Sequence, residues 1–178
     1  MTASAHDHPH SHDVACDVAH GIVPVRTPDR RLVAVFVSPV TLELAHIATH
    51  VGFQVVIVDP DPLRDVDRVE RVVGIEAAAL DEYTDVVVTD HDRPELGDVL
   101  ADALRATTRW IGVMGSLRHT APHIEALRNK GFDDTEIARI HRPIGLDIGS
   151  HSPAEIAVAT VAGLLADRNG RTGGQFQA

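Results

Sequence analysis

A chain of 178 residues with 44 % apolar residues is long enough for one domain with a real core, but aromatics are only 3 %, so Val, Ala, Leu and Ile must build that core. The net charge of −10 argues against a general nucleic-acid binder, which needs a basic face to displace counterions. One cysteine, Cys16, permits no internal disulfide, and no apolar run is long enough to span a bilayer. With no basic segment followed by an apolar run at the N-terminus, the expectation is a cytoplasmic protein with no membrane partner. The charge is uneven: residues 55–100 hold 13 acids against 4 arginines, and residues 101–150 hold 7 bases against 6 acids. An anionic ligand meets less repulsion in the second region.

Residues 1–30 are polar and irregular and read as a disordered tail. His6, His8, His10 and His12 alternate there, followed by Cys16 and His20. Imidazole and thiolate suit zinc or nickel, so the tail is expected to bind such an ion weakly, without fixed geometry. Residues 31–168 read as a single α/β domain. Leu32–Val37 is a continuous apolar run, as in a strand buried on both faces. Ser38-Pro39 then caps a helix with proline at its first position. Gly52 ends that helix, Phe53–Val58 makes a second strand, and the three elements form a βαβ unit. Asp59–Pro62 is a loop, and Leu63–Arg71 is expected to be a short helix. Asp85–Thr89 is a third strand, Pro94–Leu104 a helix, and Arg109–Val113 a fourth strand.

Leu117–Lys130 has a helical pattern in which Pro122 is either a kink or the true start; Gly131 ends it. Asp133 and Glu136 form a capping box for a short helix, and Ile144–Ile148 reads as a short strand. Ser152-Pro153-Ala154-Glu155 is a second capping box, opening a helix to about Arg168. Residues 169–178 form a Gly-rich, flexible C-terminal tail. Alternating strands and helices give a doubly wound, mostly parallel sheet of the Rossmann-like kind. Ligands of such sheets bind beyond the carboxyl ends of the strands.

The first βα turn lacks the glycines of a dinucleotide site: Phe36, Ser38 and Thr41 stand in their places, and Pro39 removes an amide. That loss argues against ordinary NAD binding. Asp59, at the end of the second strand, either holds a ribose or serves the turn. Gly115-Ser116-Leu117-Arg118 offers a close backbone approach, a hydroxyl and a guanidinium to an anion. Gly145, Asp147 and Gly149 form a glycine-spaced loop with an acid that can accept hydrogen bonds, and Ser152 opens the helix beside it. His91, between Asp90 and Asp92, is a candidate base or ligand, set against a plain surface histidine. The pairs His46/His50 and His119/His123 are spaced i,i+4 but read as solvated.

The stretch from Trp110 to Gly170 closely resembles the C-terminal Rossmann-like domain of the XdhC/CoxI family. The matching residues are Gly112, Gly115-Ser116, Arg118, Arg139-Ile140, Pro143–Gly149 and Ser152–Ala157. A weaker match extends upstream to Gly52. Members of that family are accessory proteins of molybdenum hydroxylases such as xanthine dehydrogenase and carbon monoxide dehydrogenase. The resemblance implies binding of molybdenum cofactor (molybdopterin), protection of its sulfurated form and delivery to an apo-hydroxylase. It implies as partners that apo-enzyme and a cofactor sulfurase, and a homo-oligomeric state. Longer members carry a separate N-terminal domain whose glycine-containing signature is not found in this sequence. The alternatives are an NAD(P)-linked oxidoreductase on the same fold and a metal-handling protein acting through its tail.

Overall fold

The computed structural model describes residues 14–20, 30–61, 63–64, 66, 69–115 and 121–174. A six-stranded, all-parallel sheet runs through it in the order β3-β2-β1-β4-β5-β6. Its strands are β1 (Arg31–Val35), β2 (Gln54–Val58), β3 (Glu70–Val72), β4 (Thr84–Val88), β5 (Trp110–Val113) and β6 (Ile140–His141). This is the order of a Rossmann sheet, whose direction of winding reverses between β1 and β4. Register is direct along the centre: Val33 lies between Val56 and Val86, and Val35 between Val58 and Val88.

The apolar runs divide by strand periodicity. Val33, Val35, Val56, Val58, Val86 and Val88 face one core, and Leu32, Ala34, Ile57 and Val87 face the other. The first core is covered by α3 (Leu96–Arg105), α4 (Pro122–Asn129) and α5 (Asp134–Ile137), through Leu100, Leu104, Leu127 and Ile137. The second is covered by α2 (Pro39–His50) and α6 (Pro153–Arg168), through Leu44, Ala48, Val161 and Leu164. Burial on both faces is why the central strands read as continuous Val/Ile/Leu runs.

Three expected helix starts have the predicted caps. Ser38 and Thr41 exchange side-chain and backbone hydrogen bonds, as do Asp133 with Glu136 and Ser152 with Glu155. Pro122 marks the true start of α4, well beyond Ser116, and not a kink. Two expectations are corrected. The segment read as a helix over Leu63–Arg71 instead leads into β3, which pairs with β2 through Val56–Glu70, Ile57–Arg71 and Val58–Val72. Edge pairing overrides local propensity there. The expected strand Ile144–Ile148 is absent. The sixth strand is Ile140–His141, and Gly145 (φ +86°) breaks any extension of the chain after it. Within the segment read as a tail, Val14–Ala19 forms a six-residue helix, α1.

At the amino-terminal end of the sheet, Asp85 of β4 is fully buried. Arg109 Nε donates to its Oδ1 at 2.5 Å and Arg168 Nε to its Oδ2 at 2.8 Å. Arg168 also donates to the Tyr83 carbonyl, and Arg109 pairs with Asp167 at 2.7 Å. Burial pushes the Asp85 carboxyl up, against the pull of the two guanidiniums. The cluster ties the last turn of α6 to the sheet, opposite the end where ligands of this fold bind. No helix among the described residues is long and apolar enough to cross a membrane.

Candidate functional site

The turn between β1 and α2 is where a Rossmann domain receives a pyrophosphate. Phe36 holds φ +70° there, the left-handed conformation that glycine ordinarily supplies, and its ring is fully buried. Arg93 lies over that ring at 4.9 Å. The amides of the turn are engaged internally. Val37 N donates to Asp59 Oδ2 at 2.7 Å, Ser38 N to Thr41 Oγ1, and Thr41 N to Ser38 Oγ. Pro39 has no amide proton. The Thr41 and Thr89 hydroxyls lie 2.7 Å apart, each within hydrogen-bond reach of the Phe36 carbonyl. The glycine conformation persists, but the space and the donors that would receive a pyrophosphate are used by the protein itself.

Asp59 belongs to this filled turn. It is fully buried, accepting from Val37 N and from Asp61 N at 2.9 Å, with Arg64 and Arg93 at 3.8 and 3.9 Å. Both carboxylate oxygens therefore serve the backbone, which favours the turn role for Asp59 over a ribose contact.

Beyond β5, Gly115 adopts φ +152°. A Cβ placed there would lie 2.6 Å from Arg142 Nε, so glycine is what lets the guanidinium approach the backbone. Ser116 and Arg118 lie outside the described residues. His123, at the start of α4, is 4 % exposed, and its Nδ1 has no hydrogen-bond partner among the described residues. Burial, and then the nearby Arg142 guanidinium, hold its pKa below the ordinary imidazole value. The expectation that His123 is solvated is thus corrected: Ile124 and Leu127 of α4 pack into the core and bring His123 in with them. His46 and His50 are exposed as expected, their rings 5.6 Å apart.

His91 follows β4, with Nε2 3.7 Å from Asp92. With Arg93 and His123 it lines a cavity of roughly 330 Å³. A neighbouring cavity of roughly 480 Å³ is lined by His123, Arg128, Arg142 and the apolar side chains of Ile124, Ile137 and Ile140. Sequence reading missed Arg142 and the burial of His123. The signal available was the approach of Gly115 to some side chain, but not which one.

The loop that carries Gly145, Asp147 and Gly149 lies along α6. At Gly145 a Cβ would meet the Ala159 carbonyl carbon and Thr160 nitrogen at 3.1 Å, and Leu146 N donates to Ala159 O at 3.0 Å. Gly145 therefore serves close packing on a helix. Asp147 is exposed and makes no hydrogen bond among the described residues; Gly149 (φ +69°) faces open space. Ser152 Oγ accepts from Glu155 N at 3.3 Å, and Glu155 accepts from the amides of His151 and Ser152. These amide contacts, His151 first, lower the Glu155 pKa. Ser152→Ala should cost about 1 kcal/mol through the lost cap, and Glu155→Ala should lower stability through the same box. Chemical denaturation checks both. If Glu155→Ala kept full stability yet lost ligand binding, Glu155 would be a ligand residue.

No hydrogen bond among the described residues joins the Asp147 loop to Gly115. Of the tail histidines, His6, His8, His10 and His12 lie outside the described residues; nothing is described of the Cys16 side chain, and His20 is exposed. Among the described residues, no group of three or more His, Cys, Asp or Glu is placed to hold a metal ion.

His123 makes stability depend on pH. Below the ordinary histidine value near 6.5, the unfolded chain takes up a proton that the folded state resists. Its contribution is therefore present above that value and is lost as pH falls toward the depressed folded pKa. Denaturant midpoints should drop more steeply between about pH 7.5 and 5.5 in wild type than in His123→Leu. Parallel slopes would contradict this.

The strand order and the filled first turn define a Rossmann-type domain that has kept the nucleotide-binding frame and closed its usual phosphate turn. The chain belongs to the XdhC Rossmann domain family, whose model matches residues 32–164. It is 27 % identical over 168 residues to Uncharacterized protein YqeB of Escherichia coli K12, an alignment covering 87 % of this chain and 29 % of that protein. The crystal structure of a xanthine dehydrogenase from Bacillus halodurans superposes with TM-score 0.63 at 25 % identity, over 82 % of this chain and 44 % of that one. The chain thus spans less than half the length of either relative.

Proposed function

We propose that this chain is an accessory factor that binds molybdenum cofactor and assists its maturation or insertion into a molybdenum hydroxylase of the xanthine dehydrogenase type. Family membership across residues 32–164 supports the accessory role. The observation that carries the ligand choice is the pairing of a filled dinucleotide turn with cationic strand ends. Phe36 and Asp59 fill the turn. Arg142, beside Gly115 at the end of β6, supplies the charge, and buried His123 at the start of α4 lines the same cavity. Molybdenum cofactor carries a phosphate and a negatively charged metal–dithiolene group, so it needs positive charge and close backbone approach. The residues present fit that need. Arg142, with Arg118 from the neighbouring loop, would face the anionic groups. Asp147, exposed and without a hydrogen bond among the described residues, would accept from the donor-rich pterin edge.

The bound cofactor would bring its redox chemistry to the client enzyme. This chain's residues would hold and screen the cofactor until transfer. The partners of this reading are the apo-hydroxylase and a cofactor sulfurase.

The second reading, an NAD(P)-linked oxidoreductase, draws on the same frame. Titration calorimetry with NAD⁺, NADH, NADP⁺ and NADPH separates the two. No micromolar binding is expected, because the turn amides already have internal partners. Micromolar affinity for any of the four would contradict the accessory reading and favour the oxidoreductase.

A further inference from the structure

We propose that the cavity between α4, α5 and β6 is a binding site for a phosphate monoester, its oxyanion held by His123, Arg142 and the amino-terminal end of α4. Three independent features converge there. The first is His123, at 4 % exposure, whose Nδ1 has no hydrogen-bond partner among the described residues. A buried polar atom left so is costly unless a ligand completes it. A neutral imidazole carries one N–H; on Nδ1 it would donate to an oxyanion.

The second is Arg142, which lines the cavity and approaches the chain where Gly115 leaves room for it. A guanidinium offers a planar fork of donors to phosphate. The third is α4 itself. It begins at Pro122 with Ala121 as its cap residue, and no side chain caps its first amides. Pro122 has no amide proton and Ile124 N donates to Ala121 O at 3.0 Å, so the His123 amide and the positive end of the helix dipole are what this end offers; Ala121 lines the same cavity.

The size and lining of the cavity set the ligand class. A volume of roughly 480 Å³ is far more than a bare oxyanion fills and falls within the range of about 300–1,000 Å³ usual for small organic ligands. Ile124, Ile137 and Ile140 supply an apolar wall for the carbon body. Arg128, at the same cavity, pairs with Asp134 at 2.9 Å, and the charge of Arg142 is one that acts on His123.

The test uses the full chain and two probes, inorganic phosphate and phenyl phosphate, with phenol as the uncharged control. NMR follows the His123 ring and the amides of Gly115 and Ile124. Saturable shifts at these sites are expected with phosphate and at several-fold lower concentration with phenyl phosphate, and none with phenol. Arg142→Gln and His123→Leu should each weaken phenyl phosphate about tenfold or more, as expected for loss of a charge-assisted or buried contact. Arg171→Gln, at an exposed arginine elsewhere, should not. Unchanged amide positions away from the cavity show that each variant is folded. No saturable shift up to tens of millimolar, or equal affinity in Arg142→Gln and wild type, would overturn the proposal. Phosphate binding as tight as phenyl phosphate would overturn the monoester assignment.

The site is that of the pterin reading taken one step further, yet the two fail separately. Phenyl phosphate saturation with no pterin retention sinks the cofactor reading alone. Pterin retention without phosphate saturation sinks this proposal alone.

Discussion

Asp85→Ala is expected to destabilise the fold by about 3–5 kcal/mol, the usual effect of removing one partner from a buried ion pair. Asp85 has no exposed surface and is held by both Arg109 and Arg168. Its removal leaves the two guanidiniums without the charge that drew them in. They are not stranded completely, since Arg109 keeps Asp167 and Arg168 keeps the Tyr83 carbonyl. Burial of the carboxylate is itself costly, as the upward push on its pKa shows. Combining Asp85→Leu with Arg109→Met and Arg168→Met should therefore recover much of the loss, because an apolar cluster avoids desolvating three charges. Denaturant unfolding at neutral pH measures both variants. A loss below about 1 kcal/mol for Asp85→Ala would mean the cluster behaves as a surface pair. Ligand retention per folded molecule should not change, because Asp85 lies at the end of the sheet away from the strand termini that carry the candidate site.

The local signals in the sequence were legible, and the tertiary ones were not. Ser38, Asp133 and Ser152 announced their helices because a cap is built from residues three apart. The central strands announced themselves because a parallel sheet buries both faces. β3 was not legible. It is an edge strand whose conformation comes from pairing with β2, and its own residues carry no strand pattern. Asp85 lay hidden in an apolar run, since its partners are 24 and 83 residues away. His123 and Arg142 were missed for the same reason: nothing local to either shows that they share a cavity.

The glycines of the motif have packing roles that their spacing in the sequence does not show. Gly112 and Gly145 are required by packing. A side chain on Gly112 would strike Trp110 and Ile144, and one on Gly145 would press on the α6 backbone. Gly115 makes room for Arg142, a cation near the proposed ligand. Phe36 is the reverse case, a bulky residue in a glycine conformation. There the sequence showed the loss of the nucleotide fingerprint, and the structure shows what fills its place.

Arg118→Ala is expected to weaken binding of molybdenum cofactor about tenfold or more, at roughly 1.5–3 kcal/mol for a lost charge-assisted contact. The net charge of −10 opposes an anionic ligand, so the local cations must carry the attraction. Arg118 follows Gly115 by three residues in the sequence and lies outside the described residues; Gly115 itself lies beside the guanidinium of Arg142. Asp147→Asn should also weaken binding with little change in stability, because Asp147 is exposed and makes no hydrogen bond among the described residues. The measurement is retention. The protein is mixed with freshly released cofactor, the unbound fraction is removed, and the pterin and molybdenum that remain are assayed in wild type and both variants. Clear retention by wild type above a control protein is expected, and markedly less by Arg118→Ala and Asp147→Asn. Wild-type retention no greater than the control would contradict the cofactor-binding claim, and equal retention by all three proteins would contradict the placement of its site.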